Sequence, residues 1–128
     1  LNVLLDTHAF LWAVMDDRRL SAAARAVIAD GANEVFLSAA SMWEIALKAG
    51  AGKIHLAGGT ARFLELEIRR NRLSPLPVQP AHVLRVTYLP PIHKDPFDRL
   101  LIGQAQVENL ALITSDPLIT RYPVQVIW

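Results

Sequence analysis

The 128-residue chain contains no cysteine, which excludes a disulfide framework and any thiolate metal site. A reducing cytosol is the compartment that fits this, so a cytoplasmic location is expected. No apolar run reaches the roughly 18 residues of a membrane-spanning helix. The apolar start, LNVLLDTHAFLWAV, is interrupted by Asp6 and His8 and lacks a basic leader, so it does not read as a signal peptide. The first residue is Leu1, which leaves room for an initiator methionine or short leader before it. Charge of one sign is also lacking. With 13 Lys and Arg against 12 Asp and Glu, the net charge is +1, so nucleic-acid binding would need a local basic patch. Glycine-rich phosphate loops are missing too. The GAGK of Gly50–Lys53 has Leu47 where a P-loop needs its first glycine and Ile54 where it needs Ser or Thr. No Gly-x-Gly-x-x-Gly follows an apolar run, and no Gly-x-Ser-x-Gly occurs. His8, His55, His82 and His93 show no metal-ligand spacing and read as structural or surface residues, although His8 and His93 adjoin acids.

What is present is a core. Hydrophobic residues make up 52% of the chain, which excludes disorder, and the length suits one domain over residues 1–128. Short apolar runs at Val3–Leu5, Val35–Leu37 and Ala111–Thr114 predict buried strands. Leu73–Val78, with two prolines, predicts an edge strand, and Val124–Ile127 a last one. Helices are expected from Thr7 through Val14, from Ser21 to about Asp30, from about Ser38 to Ala49, over Thr60–Arg70, over Ala81–Tyr88 and from Pro96 to about Asn109. Strands alternating with helices predict a three-layer α/β/α fold around a central parallel sheet.

In such sheets the functional site lies beyond the carboxyl ends of the strands. Asp6 closes the first strand and Asp116 follows the Ala111 strand. Glu44 stands within two turns of the start of the helix that leaves the second strand. Asp98 stands in the first turn of the Pro96 helix, capped by Asp95. That helix runs back before the Ala111 strand returns, so it must start at the carboxyl-end pole. Connectivity thus gathers four carboxylates at one end of the sheet. Each also has a plain local role. Asp6 suits an N-cap, Ser41-Met42-Trp43-Glu44 matches a capping box, Asp116-Pro117 opens a turn, and Asp98 suits the helix dipole. A bare cluster is costly, because two like charges about 4 Å apart repel by roughly 4 kcal/mol at an effective dielectric of 20. Either some carboxyls hold protons or a cation binds. Oxygen-only ligands point to Mg²⁺ or Mn²⁺.

Four segments stand in order, LLDTHAFLW, LSAASMWEIALK, HKDPFDRLLIGQA and LITSD, as the motifs of a resemblance that runs from Val3 to about Ile127. Together they resemble the PIN-domain ribonucleases, specifically the VapC-type toxins of toxin–antitoxin pairs. The family's four acids fall on Asp6, Glu44, Asp98 and Asp116. The resemblance implies strand order 3-2-1-4-5 and a Mg²⁺- or Mn²⁺-dependent endoribonuclease. It also implies a homodimer that assembles with, and is inhibited by, a VapB-type antitoxin. On this reading Asp6 and Asp98 are expected as direct metal ligands, with Glu44 and Asp116 holding metal-bound waters or a second ion. Thr114 and Ser38 are expected to orient carboxylates. Lys48, Lys53, Lys94 and Arg99 are candidate RNA contacts, although Lys48 is also placed to pair with Glu44. Phe10, Leu11, Trp12, Met15 and Trp43 are candidate antitoxin contacts, with core packing as the alternative. Gly103, inside the last long helix, is expected to mark close packing on the sheet. Rival readings are a flap-type DNA nuclease, a catalytically inactive binding module and a phosphate-receiving response-regulator domain. The last would need a Lys after a late strand, where this chain has Thr114-Ser115-Asp116.

Overall fold

A computed structural model describes all of residues 1–128. Five strands form one sheet in the order β3-β2-β1-β4-β5, and all four pairings are parallel. The strands are β1 (Asn2–Leu5), β2 (Glu34–Ser38), β3 (Ser74–Leu76), β4 (Ala111–Ile113) and β5 (Val126–Ile127). The helices are α1 (Thr7–Val14), α2 (Ala22–Ala29), α3 (Ala39–Gly50), α4 (Thr60–Arg70), α5 (Pro80–Val86) and α6 (Pro96–Glu108). Fold class and strand order are those expected. Pro75 sits in β3 at the sheet's edge, where a missing N–H breaks no central ladder. No helix is long and apolar enough to cross a membrane.

Strand alternation sorts the core into two layers. Val3, Leu5, Val35, Leu37, Ala111 and Ile113 face one side, under residues of α1, α2, α3 and α4. Leu4 and Leu112 face the other, under Leu101, Ile102 and Ala105 of α6. Leu4, Leu5, Leu37, Leu112 and Ile113 are among the fully buried side chains, each contributing about 1.5–3 kcal/mol by leaving water.

Caps fix where the helices begin. Asp6, Ser21, Ser38 and Asp95 each accept backbone N–H bonds at a helix start. α3 therefore opens directly after β2, and the capping box at Ser41 does not form. Glu44 lies one turn further along than that box would have put it. α6 ends at Asn109, which adopts a left-handed φ of 54°.

Gly103 marks a close approach, but to α5 and not to the sheet. A Cβ there would stand 3.0 Å from the His82 carbonyl oxygen and 3.0 Å from Val86 Cγ2. Alanine's better helix propensity, about 1 kcal/mol, is opposed by overpacking worth about 1–3 kcal/mol. Gly103→Ala is expected to lower Tm by roughly 3–5 °C in a thermal melt. An unchanged or raised Tm would show that α5 gives way freely. Beside this contact, Gln104 is fully buried. It accepts from the Ser38 hydroxyl at 2.6 Å, and its amide donates to the Pro77 carbonyl at 3.3 Å.

Candidate active site

Asp6 ends β1, and its backbone N–H extends the ladder to the Ile113 carbonyl at 3.0 Å. Its carboxylate accepts the Ala9 N–H at 2.7 Å, capping α1, and the Thr114 hydroxyl also holds it. Burial pushes the Asp6 carboxyl up from its ordinary value. The Thr114 and Ala9 bonds and the nearby His8 oppose this, while the charge of Asp116 adds to it. Asp98, in the first turn of α6, is pushed up to about 7. Burial is the main cause, followed by the negative charge of Asp95; His93 opposes, and Asp6 and Glu44 add. The four acids thus share one pole and feel one another, as connectivity predicts.

Their side chains are not equally free. Glu44 has both oxygens engaged. Oε1 accepts from the Thr7 hydroxyl at 2.6 Å, and Oε2 pairs with Lys48 Nζ at 2.9 Å. Thr7 also lies 3.0 Å from the Ser41 hydroxyl. Asp116 uses Oδ1 to accept the Leu118 N–H at 2.9 Å, and its own N–H donates to the Thr114 hydroxyl at 3.0 Å. Its Oδ2 faces His93 Nε2 at 2.7 Å, and Asp98 Oδ2 faces the same nitrogen at 3.1 Å. Donor atoms of His93, Asp98 and Asp116 all lie within 4.8 Å of one another. Two carboxylates on different elements therefore turn towards a single point.

Several residues have roles other than those expected. Ser38 holds Gln104 and caps α3 with its buried hydroxyl, so it orients no carboxylate of the pole. Thr114 does reach Asp6 and Asp116. Lys48 is paired with Glu44. Arg99 is engaged within the chain. Its guanidinium donates to the carbonyls of Pro90, His93, Val86 and Leu89 at 3.0–3.3 Å, because it stands about 100° round α6 from Asp98. Phe10 and Leu11 are buried in the core, Phe10 with no exposed surface and Leu11 with 9%. Trp12 is half-buried against Trp128 and His8, with the Arg19 guanidinium 4.9 Å above its ring. Met15 and Trp43 are exposed, as are Lys53 and Lys94. The residues that sequence reasoning missed are His93 and Thr7. Thr7 follows Asp6 directly and so shares its pole. The signal for His93 is the segment from His93 to Asp98, which places a histidine five residues before an acid.

The PIN domain family model matches residues 3–124. The chain belongs to the PIN domain family. This PIN domain is 41% identical over 58 residues to Ribonuclease VapC16 of Mycobacterium tuberculosis, a stretch that is 45% of this chain and 41% of that protein. The match thus spans about two-fifths of the relative's length. Among solved structures, VapBC2 from Rickettsia felis bound to a promoter DNA fragment superposes with a TM-score of 0.72 at 16% identity, covering 98% of this chain and 97% of that one. DNA-bound VapBC from Salmonella typhimurium gives 0.69 at 17%, covering 98% and 96%. At these identities the likeness is one of fold.

The donor set of this PIN domain suits a hard divalent cation. The converging groups are carboxylate oxygens, and burial with the charges of Asp95, Asp6 and Glu44 outweighs His93 and pushes the Asp98 carboxyl up to about 7. A cation held by the remaining lone pairs of Asp98 and Asp116 would offset those negative charges.

Proposed function

We propose that this chain is a Mg²⁺- or Mn²⁺-dependent endoribonuclease. We further propose that it is the toxin of a toxin–antitoxin pair, inhibited by a VapB-type antitoxin. The observation that carries the reading is the convergence of Asp98 and Asp116, beside Asp6, at the carboxyl end of a PIN sheet. The partial match to a protein named as a ribonuclease supports it.

A bound cation would supply an activated water and neutralise charge on the scissile phosphate. Asp6 and Asp98 are the residues proposed to hold it directly, and Asp116 extends the same oxygen surface. Thr114 keeps Asp6 and the Asp116 loop in register. Glu44, locked by Thr7 and Lys48, adds negative potential from α3. Exposed Lys53 and Lys94 are the proposed phosphate contacts. Single-stranded RNA binding falls with salt by about 0.7 log unit per log unit for each phosphate neutralised. Lys53→Ala and Lys94→Ala are each expected to reduce the slope by about that amount. An unchanged slope in a salt titration would remove them from the RNA path.

Partner surfaces follow from exposed apolar side chains. Met15 and Trp43, 50% and 59% exposed, are the proposed antitoxin anchors, with Leu47 one turn beyond Trp43. Trp43→Ala is expected to weaken antitoxin binding about 30-fold, as for a buried tryptophan worth 2 kcal/mol. Unchanged affinity by calorimetry would move the interface elsewhere. The outward side of α5, with Val83, Leu84 and the following Tyr88 exposed, is proposed to face a second copy of the chain.

The functional test is end-mapping of RNAs cut when the protein is induced, with Asp6→Ala as control. New ends confined to the unaltered protein are expected. Cleavage of branched DNA in place of RNA would favour the flap-type reading. Absence of Mg²⁺ or Mn²⁺ binding by calorimetry would favour an inactive module.

A further inference from the structure

The geometry points to His93 as a positioning residue that holds Asp98 and Asp116 in converging orientations around its Nε2, without itself binding the metal. The inference rests on the metal-dependent reading of the acid pole.

His93 is buried and fixed on every side. Its backbone N–H donates to the Tyr122 hydroxyl at 2.8 Å, and its carbonyl accepts from Arg99 at 3.2 Å. Tyr122 in turn donates to the Pro90 carbonyl at 2.7 Å. The turn that carries the imidazole is thus pinned by α6 and by the segment before β5. Nδ1 of the ring faces the Asp95 backbone N–H at 3.1 Å. An amide N–H can only donate, so Nδ1 must present its lone pair and the ring proton must sit on Nε2. Asp116 Oδ2 accepts that proton, with 2.7 Å between nitrogen and oxygen, and Asp98 Oδ2 lies 3.1 Å from the same nitrogen. Direct ligation by Nε2 would move the proton to Nδ1, where it would meet the Asp95 N–H head-on.

One ring nitrogen set against two carboxylates does what neither carboxylate's own element can do. Asp98 is carried by α6 and Asp116 by the loop after β4, and their like charges push them apart. The imidazole bridges them and leaves their remaining lone pairs for a cation. This is the outer-ligand role by which a hydrogen-bond partner orients metal-holding groups, and loss of such a partner typically costs about 10–100-fold in affinity.

Two substitutions separate the ring's two nitrogens. His93→Asn keeps an acceptor for the Asp95 N–H but has nothing at the Nε2 position. His93→Gln can place an amide N–H near that position. Mn²⁺ affinity by calorimetry is expected to fall about 10–100-fold in His93→Asn and to stay within a few-fold of the unaltered protein in His93→Gln, with thermal melts confirming that both fold. Nitrogen-15 NMR of the His93 ring is expected to show the Nε2–H tautomer with and without Mg²⁺. An Nδ1–H tautomer, a proton lost from Nε2 on adding Mg²⁺, or equal Mn²⁺ affinities in the two variants would overturn the assignment. None of these measurements uses RNA. Failure to cleave RNA would therefore overturn the proposed function and leave His93 standing, whereas a wrong tautomer would overturn His93 with cleavage intact.

Discussion

Asp98→Asn is expected to lose RNA cleavage by more than about a hundredfold, the upper range for losing even an indirect metal-orienting group, while the fold remains. The amide is nearly isosteric with the carboxyl but offers a cation no charge. Stability is expected to move the other way. The Asp98 carboxyl is raised from 3.8 to about 7 in the folded chain, so the folded state binds more protons than the unfolded state between those values. Stability contributed by protonated Asp98 is present below the ordinary carboxyl value and is lost as pH rises through about 7. Asn cannot ionise. In metal-free buffer Asp98→Asn is therefore expected to have a higher Tm than the unaltered protein at pH 8. No difference from this source is expected at pH 3. A thermal melt at each pH, with a cleavage assay, reads both effects. Retained metal-dependent cleavage would remove Asp98 from the chemistry, and a Tm loss at pH 8 would show that its charge stabilises the fold.

One residue along α6 the expectation reverses. Arg99→Met is expected to destabilise the chain by about 3 kcal/mol, the scale of losing charge-assisted bonds to partly buried acceptors. That corresponds to a Tm lower by roughly 10 °C. Arg99 is half-buried and holds the Pro90 and His93 carbonyls as well as those of Val86 and Leu89. Its loss frees the turn that seats His93, so metal affinity is expected to fall with stability. The salt dependence of RNA binding is expected to keep its slope, because the guanidinium is spent on carbonyls of the chain. A reduced slope with an unchanged Tm would restore Arg99 as an RNA contact.

These two neighbours show where sequence reasoning reaches and where it stops. The sheet was legible because its strands are short apolar runs and its helices carry their own caps. Asp95 and Pro96 fix the start of α6, and that start places Asp98 at the pole of Asp6. Thr114 was legible for the same reason, as the residue directly after a strand whose end faces the site. Arg99 reads as a phosphate contact because it is a cation beside an acid. Its true partners are carbonyls of the turn 86–93, and chain order alone does not show that this turn folds back over α6. His93 was missed for the same reason, since its backbone N–H meets the Tyr122 hydroxyl and its ring meets Asp116, both from distant parts of the chain. Phe10 was ambiguous because α1 is apolar on more than one side. The structure resolves it, with Phe10 wholly inside and an edge-on contact to Phe63 of α4 at 6.4 Å between ring centroids. Gly103 signalled a close approach, yet nothing in its neighbours says that α5 is the partner.

The central claim is that the acid pole of this PIN domain cuts RNA only with a divalent cation. The direct measurement incubates the purified chain with end-labelled RNA in Mg²⁺, in Mn²⁺, and after removal of both by chelation. Discrete internal cuts are expected with either ion, none after chelation, and recovery when Mn²⁺ is returned. Cuts that persist undiminished after chelation, or RNA left whole in both ions, would contradict the account.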